Sequence, residues 1–452
     1  MPKAALHNLG CKVNAYETEA MEQQLKTRGY EIVPFDEKAD VYVINTCSVT
    51  NIADRKSRQM LHRAKKMNPE AVVVAAGCYV QVASEKLKED ASVDIIVGNN
   101  KKAELADIIE DYMRERAGKQ SHVIDIACSK EYENLRLEDM GAHTRAFIKV
   151  QDGCNQFCSY CIIPYARGRV RSRSREDVAE EIRGLTERGY KEVVLTGIHL
   201  SSYGIEHMEG NPVQEGDWNH RELLALIEEI HGIPGLERIR LGSLEPRIIT
   251  EEFAEKLAAL PKFCPHFHLS LQSGCNETLK RMNRHYTTED YGKRCRILRR
   301  HFTDPAITTD VIVGFPGETG EEFAVTRKFL EEVHFYEMHV FKYSKRAGTK
   351  AAVMPDQVSE QVKAVRSDEL LSLEKAMSRE YRERFAAEKV SVLFEETVRI
   401  DGKTYMTGYT PQYVRAALPL EDPAQGDELT GKCVLLQGDG LLTEELLKVK
   451  FL

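Results

Sequence analysis

The chain has 452 residues, enough for about three domains at roughly 150 residues each. Its 42% hydrophobic and 30% charged residues describe a folded globular protein, and no apolar run reaches the ~18 residues of a membrane span. With 63 basic against 71 acidic residues the net charge is −8, so any contact with nucleic acid must come from a local basic patch.

Met1 to Asn8 enters a strand-like run without a signal-type apolar core, so a cytoplasmic location with no membrane partner is expected. The eleven cysteines, an odd number, favour reduced thiols serving metals or catalysis over a disulfide framework. Three apolar runs each lead into one of them: Ala4–Leu6 to Cys11, Val41–Ile44 to Cys47 and Val72–Ala76 to Cys78. Short apolar runs of this kind read as strands buried on both faces. Helical patterns lie between them, the first with a capping box from Asn14 to Glu17, the second carrying Met60, Ala64 and Met67. The alternation predicts an N-terminal doubly wound parallel sheet over 1–115, which would gather the three cysteines at its carboxyl edge. Three separate buried thiols would give the same pattern, and spacing does not choose between the two.

After a polar stretch from Arg114 to His143 the β/α pattern resumes over 140–370. Strands are expected at 146–150, 192–200, 238–244, 266–272, 307–315 and 336–343. Six repeats predict an incomplete (β/α)6 barrel. In His266–Gln272 one face is His, His, Ser, Gln and the other Phe, Leu, Leu, so the polar face should line a wet or ligand-filled lumen.

Directly after the first of these strands stand Cys154, Cys158 and Cys161, spaced C-x3-C-x2-C. Zinc sites pair such cysteines with a distant second pair, and bacterial ferredoxins run four together. Three thiolates without a fourth hold three irons of a 4Fe–4S cluster and leave one open. The motif resembles the hallmark of the radical S-adenosylmethionine enzymes. That resemblance implies cofactor contacts at Tyr160, at Thr196 and Gly197 ending the second strand, at Ser270 and Gln272 ending the fourth, and at Gly314 after the fifth. Thr196-Gly197-Ile198 departs from the Gly-Gly-Glu stretch common in that family.

Arg167, Arg169, Arg171, Arg173 and Arg175 follow the motif, and eight Lys or Arg fall between Leu279 and His301. Both runs are expected to face RNA beside the site mouth. A long helix is predicted over 355–387, opened by Pro355, and alternating strands after Lys389 predict a small β-barrel.

The whole chain resembles the methylthiotransferase family. The resemblance is carried by Leu9-Gly10-Cys11-Lys12-Val13-Asn14, Asn45-Thr46-Cys47-Ser48-Val49-Thr50, Ala76-Gly77-Cys78 and Cys154 to Gly168. It implies an auxiliary 4Fe–4S cluster on Cys11, Cys47 and Cys78, a second on Cys154, Cys158 and Cys161 with S-adenosylmethionine, and a TRAM domain over 373–441. It also implies tRNA as partner, bound by the five arginines, no DNA, and a reductant such as flavodoxin or ferredoxin. Among the members, Gly-Cys-Lys-Val-Asn and Lys56-Ser57-Arg58-Gln59 look most like the group that methylthiolates threonylcarbamoyladenosine at position 37 of tRNA. Other members act on isopentenyladenosine or on a ribosomal-protein aspartate. A non-catalytic iron–sulfur RNA-binding protein, or a zinc-stapled RNA module, would be a different class, separable by S-adenosylmethionine cleavage and metal analysis.

Overall fold

The computed structural model describes residues 1–115, 118–137, 144–207, 220–422 and 424–452. The expected start of the central segment at 140, and the end of the polar stretch before it, lie outside the described residues.

Strands β1 (Lys3–Asn8), β2 (Glu31–Ile32), β3 (Val41–Thr46), β4 (Val72–Gly77), β5 (Ile95–Val97) and β6 (Gln120–His122) form one parallel sheet in the order β2-β1-β3-β4-β5-β6. Helices α1 (Lys12–Thr27), α2 (Asn51–Met67), α3 (Cys78–Glu89) and α4 (Leu105–Glu115) alternate with them. β3 is buried at every residue, as its continuous apolar run requires. The sheet extends to His122, past the expected limit of 115. Cys11, Cys47 and Cys78 all follow strand ends on its carboxyl edge. The expected capping box is corrected: α1 starts at Lys12 with Cys11 as its N-cap. Asn14 instead turns inward, giving its amide to the carbonyls of Leu9 (2.7 Å) and Thr46 (3.0 Å), and Glu17 is buried among charges described below.

In the central unit β7 (Arg145–Asp152), β9 (Glu192–Gly197) and β10 (Arg238–Leu241) run parallel, with the short β8 (Arg171–Ser172) antiparallel on β7. β11 (His266–His268), β12 (Ala306–Val313) and β13 (Glu337–Lys342) continue the parallel set, and bridges from Ile239 to Phe263 and Leu244 to Leu269 join the two halves. The six parallel strands match the six expected, and the set stays open: β13 and β7 do not pair among the described residues. Alternation sets the two faces. Ala146, Ile148 and Val150, Val193 and Leu195, and Phe267, Leu269 and Leu271 join the outer core, to which α1 adds Tyr16 and Ala20. The intervening residues, among them Phe147, Glu192, Arg240, His266, His268, Asp310, His339 and Phe341, face the lumen. Helices α5 (Ile163–Arg167), α6 (Arg175–Glu187), α7 (Arg221–His231), α8 (Glu251–Ala258), α9 (Asn276–Arg281), α10 (Thr288–His301) and α11 (Gly320–Val333) complete the unit.

α12 (Glu360–Glu383) is capped by Ser359, four residues beyond the expected start at Pro355, and it runs through the expected boundary at 373. β14 (Lys389–Ile400), β15 (Lys403–Tyr409), β16 (Arg415–Pro419), β17 (Cys433–Thr443) and β18 (Leu446–Lys450) close into a barrel in the order β14-β15-β16-β18-β17. The fifth strand lies beyond the expected limit of 441. The barrel docks on the amino ends of the central strands. Ala306 and Tyr336 belong to its apolar core, and Arg238 and Arg240 each donate at 2.8 Å, to the carbonyls of Tyr409 and Pro411. The Tyr413 ring lies 5.0 Å from that of His266.

Candidate active site at the carboxyl edges of two sheets

The three N-terminal cysteines, 36 and 31 residues apart in sequence, meet. Each lies within the electrostatic reach of the others, and burial first, then the neighbouring thiols, push Cys47 up to about 11. Cys11 is raised by burial although its side chain is accessible, so it stands on the wall of a concavity with protein packed around it. Backbone N–H groups point at the sulfurs: those of Asn14 at Cys11 and Val49 at Cys47. Ser57 of α2 fixes the Cys47 loop, accepting from its N–H (3.3 Å) and donating to its carbonyl (3.2 Å). Gly10 completes the cradle. At φ +109° a side-chain carbon there would stand 2.9 Å from Cys47 Sγ.

Cys154, Cys158 and Cys161 form the second trio. Burial, then Cys158, raises Cys154 to about 12 against the N–H of Gln156, which lies 3.5 Å from its sulfur. Cys161 is raised by burial and both companions, and faces the N–H of Ile163. Arg284 donates to Cys158 Sγ at 3.3 Å. Gly153 takes φ +72° where a Cβ would fall 1.8 Å from the Arg169 carbonyl, so the chain can turn into this loop only without a side chain. Each set of three thiols, with N–H donors and an arginine beside it, fits a 4Fe–4S cluster with one iron free, since such a cluster binds cysteines as thiolates and these donors favour the negative charge.

Two connections link the surroundings of the two trios. α5 begins two residues after Cys161, packs beside α3, which Cys78 starts, and ends at Arg167, whose Nε donates to Cys78 Sγ at 3.2 Å. A strap over 344–351 makes the second. Arg346 Nη2 donates to Ser48, next to Cys47 (2.6 Å), its Nη1 to Asp54 (2.7 Å), and the N–H of Ala351 donates to the carbonyl of Ser159 between Cys158 and Cys161 (2.8 Å).

Three of the five expected RNA-binding arginines are corrected. Arg167, Arg171 and Arg173 are buried and partnered within the chain, so they cannot reach a phosphate. Arg167 pairs with Glu17 (2.8 Å) and Asp152 (3.1 Å), and Glu17 also holds Lys102 (2.5 Å) and Lys149 (2.6 Å). Arg171 donates to the Arg167 carbonyl (2.9 Å) and Arg173 pairs with Glu181. Burial alone would raise Glu17, but Arg167, Lys102 and Lys149 outweigh it and hold it well below the usual carboxylate range. This network joins the N-terminal sheet to the central barrel. Arg169 is exposed and Arg175 half-exposed. The second basic run is also largely spent inside the chain: Arg281 pairs with Glu322, Arg284 serves Cys158, and Arg300 pairs with Glu251. Lys280, Lys293 and Arg296 stay exposed.

Sequence reasoning passed over the stronger basic surface. α2, rooted at the Cys47 loop, exposes Arg55, Lys56, Arg58, Arg63 and Lys66, with Asp54 its only acid. The strap adds exposed Lys345 and Lys350. The signal was the charge count along one helix.

The expected cofactor contacts share the carboxyl edge of β7–β13 with the second trio. Thr196 is buried and Gly197 abuts the side chain of Gln151. The Ser270 carbonyl accepts from Tyr286 (2.7 Å) and Arg284 (3.4 Å). Gln272, at φ +72°, is bridged to β12. The N–H of Gly314 donates to Glu318 (2.9 Å), which Arg366 holds, and the Tyr160 ring packs 6.4 Å from that of Phe315. In the lumen His268 bonds Asp310 (3.2 Å) and stacks on His339 (5.7 Å). Lys12 reaches the same space, its Nζ 5.8 Å from the centre of the Phe147 ring. Burial, then Arg240 and Arg145, draw its pKa down to about 8.

An open six-stranded parallel barrel with a three-cysteine loop after its first strand defines a radical S-adenosylmethionine protein. The Radical SAM superfamily model matches residues 148–330, and a model described as uncharacterized protein family UPF0004 matches 3–98. The chain is 43% identical over 416 residues to the threonylcarbamoyladenosine tRNA methylthiotransferase MtaB of Bacillus subtilis, covering 92% of this chain and 90% of that one. It is 36% identical to the tRNA-2-methylthio-N(6)-dimethylallyladenosine synthase of Acetivibrio thermocellus, covering 90% and 83%. Among solved structures, the radical S-adenosylmethionine methyltransferase TsrM of Kitasatospora setae shares the fold at a TM-score of 0.56 and 16% identity, over 78% of this chain and 77% of that one. The chain belongs to the methylthiotransferase family of radical S-adenosylmethionine enzymes.

Proposed function

We propose that the protein methylthiolates carbon 2 of N6-threonylcarbamoyladenosine at position 37 of tRNA, using two 4Fe–4S clusters and two molecules of S-adenosylmethionine. The observation that supports this reading is that α5 and the strap each tie the surroundings of one cysteine trio to those of the other. Carbon 2 of adenine carries an unactivated C–H that side-chain acids and bases cannot break, so the reaction needs cofactors. When bound, these supply reductive cleavage of S-adenosylmethionine at Cys154, Cys158 and Cys161, and sulfur delivery at Cys11, Cys47 and Cys78. The chain's part is placement. Arg284 and the N–H groups of Gln156 and Ile163 favour negative charge on one trio, and Arg167 favours it on the other. The lumen's inward residues receive the adenosine, unstacked from its neighbours.

The tRNA backbone would lie on the exposed face of α2, with Arg169 and the strap lysines beside it. The C-terminal barrel, read as a TRAM domain, would add contacts away from the lumen mouth. A flavodoxin or ferredoxin would supply electrons. The dimethylallyladenosine substrate of other relatives is the second reading, favoured by the 36% identity to one of them. Anaerobic reconstitution followed by mass spectrometry of tRNA nucleosides tests both. About eight irons per chain and a methylthio group on threonylcarbamoyladenosine are expected. About four irons, or modification of dimethylallyladenosine alone, would overturn the proposal.

A further inference from the structure

Most charges around the lumen have a partner. Glu192 pairs with Arg240 (2.8 Å) and Arg238 (3.7 Å), Arg145 with Glu395 (2.5 Å), and Asp310 with His268 (3.2 Å). Lys12 has none: among the described residues no hydrogen bond or ion pair engages it, and its side chain is accessible. It is the first residue of α1, whose first turn carries no acid, so its charge adds to the positive end of the helix instead of cancelling it. Arg145, Arg238 and Arg240 outnumber Glu192 and Glu395 at the same floor, so the surroundings do not supply the missing anion. On the edge strand β13, Phe341 shares the lumen-facing register of His339 and leaves 47% of its surface bare, a large apolar ring without a covering partner among the described residues. An unpaired cation and a bare aromatic ring along one lumen call for an occupant with a flat ring and an anionic arm.

We infer that Lys12 receives the carboxylate on the N6 arm of the substrate base, with Phe341 and Phe147 bordering the ring, and so selects an amino-acid-bearing adenosine over one with a hydrocarbon arm. This rests on the proposed function and deepens it. Lys12 adjoins Cys11, so the carboxylate would be anchored beside the sulfur-delivering trio. The methionyl carboxylate of S-adenosylmethionine is assigned instead to the other trio. A hydrocarbon arm would leave the ammonium without a counter-charge in a partly desolvated site, the kind of mismatch by which polar subsites reject isosteres.

The test uses reconstituted enzyme and anticodon stem-loop RNA whose adenosine 37 bears the threonylcarbamoyl group as the free acid or as its neutral carboxamide, with a dimethylallyl stem-loop as a third arm. Wild-type enzyme is expected to favour acid over amide by on the order of 100-fold in kcat/KM, with a parallel gap in Kd. Lys12→Met should bring acid and amide within a few-fold of each other without changing iron content, and Lys12→Arg should restore the preference. Equal use of acid and amide by the wild type overturns the inference even if the Met variant fails to fold. So does a Met variant that keeps the preference, or one whose only change is weaker binding of S-adenosylmethionine. Wild-type enzyme that modifies only the dimethylallyl RNA overturns the proposed substrate instead, an outcome distinct from equal use of acid and amide.

Discussion

Replacing Arg167 by Met distinguishes a structural arginine from an RNA contact. The side chain is fully buried, so solvent does not screen its pairs with Glu17 and Asp152. Removing one member of a buried ionic network costs about 3–5 kcal/mol, because the partners stay desolvated. Here both carboxylates keep a lysine, Glu17 through Lys102 and Lys149 and Asp152 through Lys149 at 2.7 Å, so the lower end applies. For a cooperative unit of 150–250 residues, about 3 kcal/mol lowers Tm by roughly 6–12 °C. Differential scanning calorimetry of the anaerobic protein reads that shift, and the salt dependence of tRNA binding, measured below the transition, should stay parallel to wild type. A Tm within about 1 °C of wild type, together with a shallower salt slope, would refute the reasoning and return Arg167 to the RNA surface.

Cys158→Ala should abolish S-adenosylmethionine cleavage, whereas Cys47→Ala should retain cleavage and lose sulfur insertion; product analysis by mass spectrometry separates them, and methylthiolation by the Cys47 variant would contradict the assignment. Arg55→Ala with Lys56→Ala should weaken tRNA binding and reduce the slope of log K against log salt by about 2, checked by titration at several salt concentrations. Glu19 is raised to about 8, by burial first and then by Glu22. A carboxyl raised on folding favours the folded state while protonated, so its contribution is full below the unfolded pKa near 4.5 and is lost as pH rises through about 8. Glu19→Gln should therefore stabilise the protein by about 1–3 kcal/mol at pH 9 and by almost nothing at pH 4, seen as a pH-dependent gain in Tm.

The chemistry of the site was written locally. Cys154, Cys158 and Cys161 lie within eight residues, and apolar runs mark all six central strands and the strands that end at Cys11, Cys47 and Cys78; that these last three thiols belong together came only from the resemblance to the family, because the pattern alone fits separate buried cysteines equally well. The arginines were not, because a charge declares neither its burial nor its partner. Arg167 meets Glu17, 150 residues earlier, and only the fold shows that they touch. The same long-range pairing disguised Glu17 as a helix cap. Arg284 was hidden by company: it sits in a run of eight Lys and Arg, and nothing in that run marks the one that turns to Cys158. The last barrel strand, five residues after a tight turn, carries too short an alternation to stand out.

The barrel's amino end is stoppered by a hairpin tip borrowed from the C-terminal module: Tyr409 and Tyr413 stack on each other and sit under Arg145 and Arg240. The depth of the lumen is therefore set by a segment separate from the ones that carry the cysteines. Changing a few residues of that tip would alter the depth of the lumen and leave the cysteine-bearing end untouched. Grafting such a tip is a route to altered substrate length that does not disturb the cysteines.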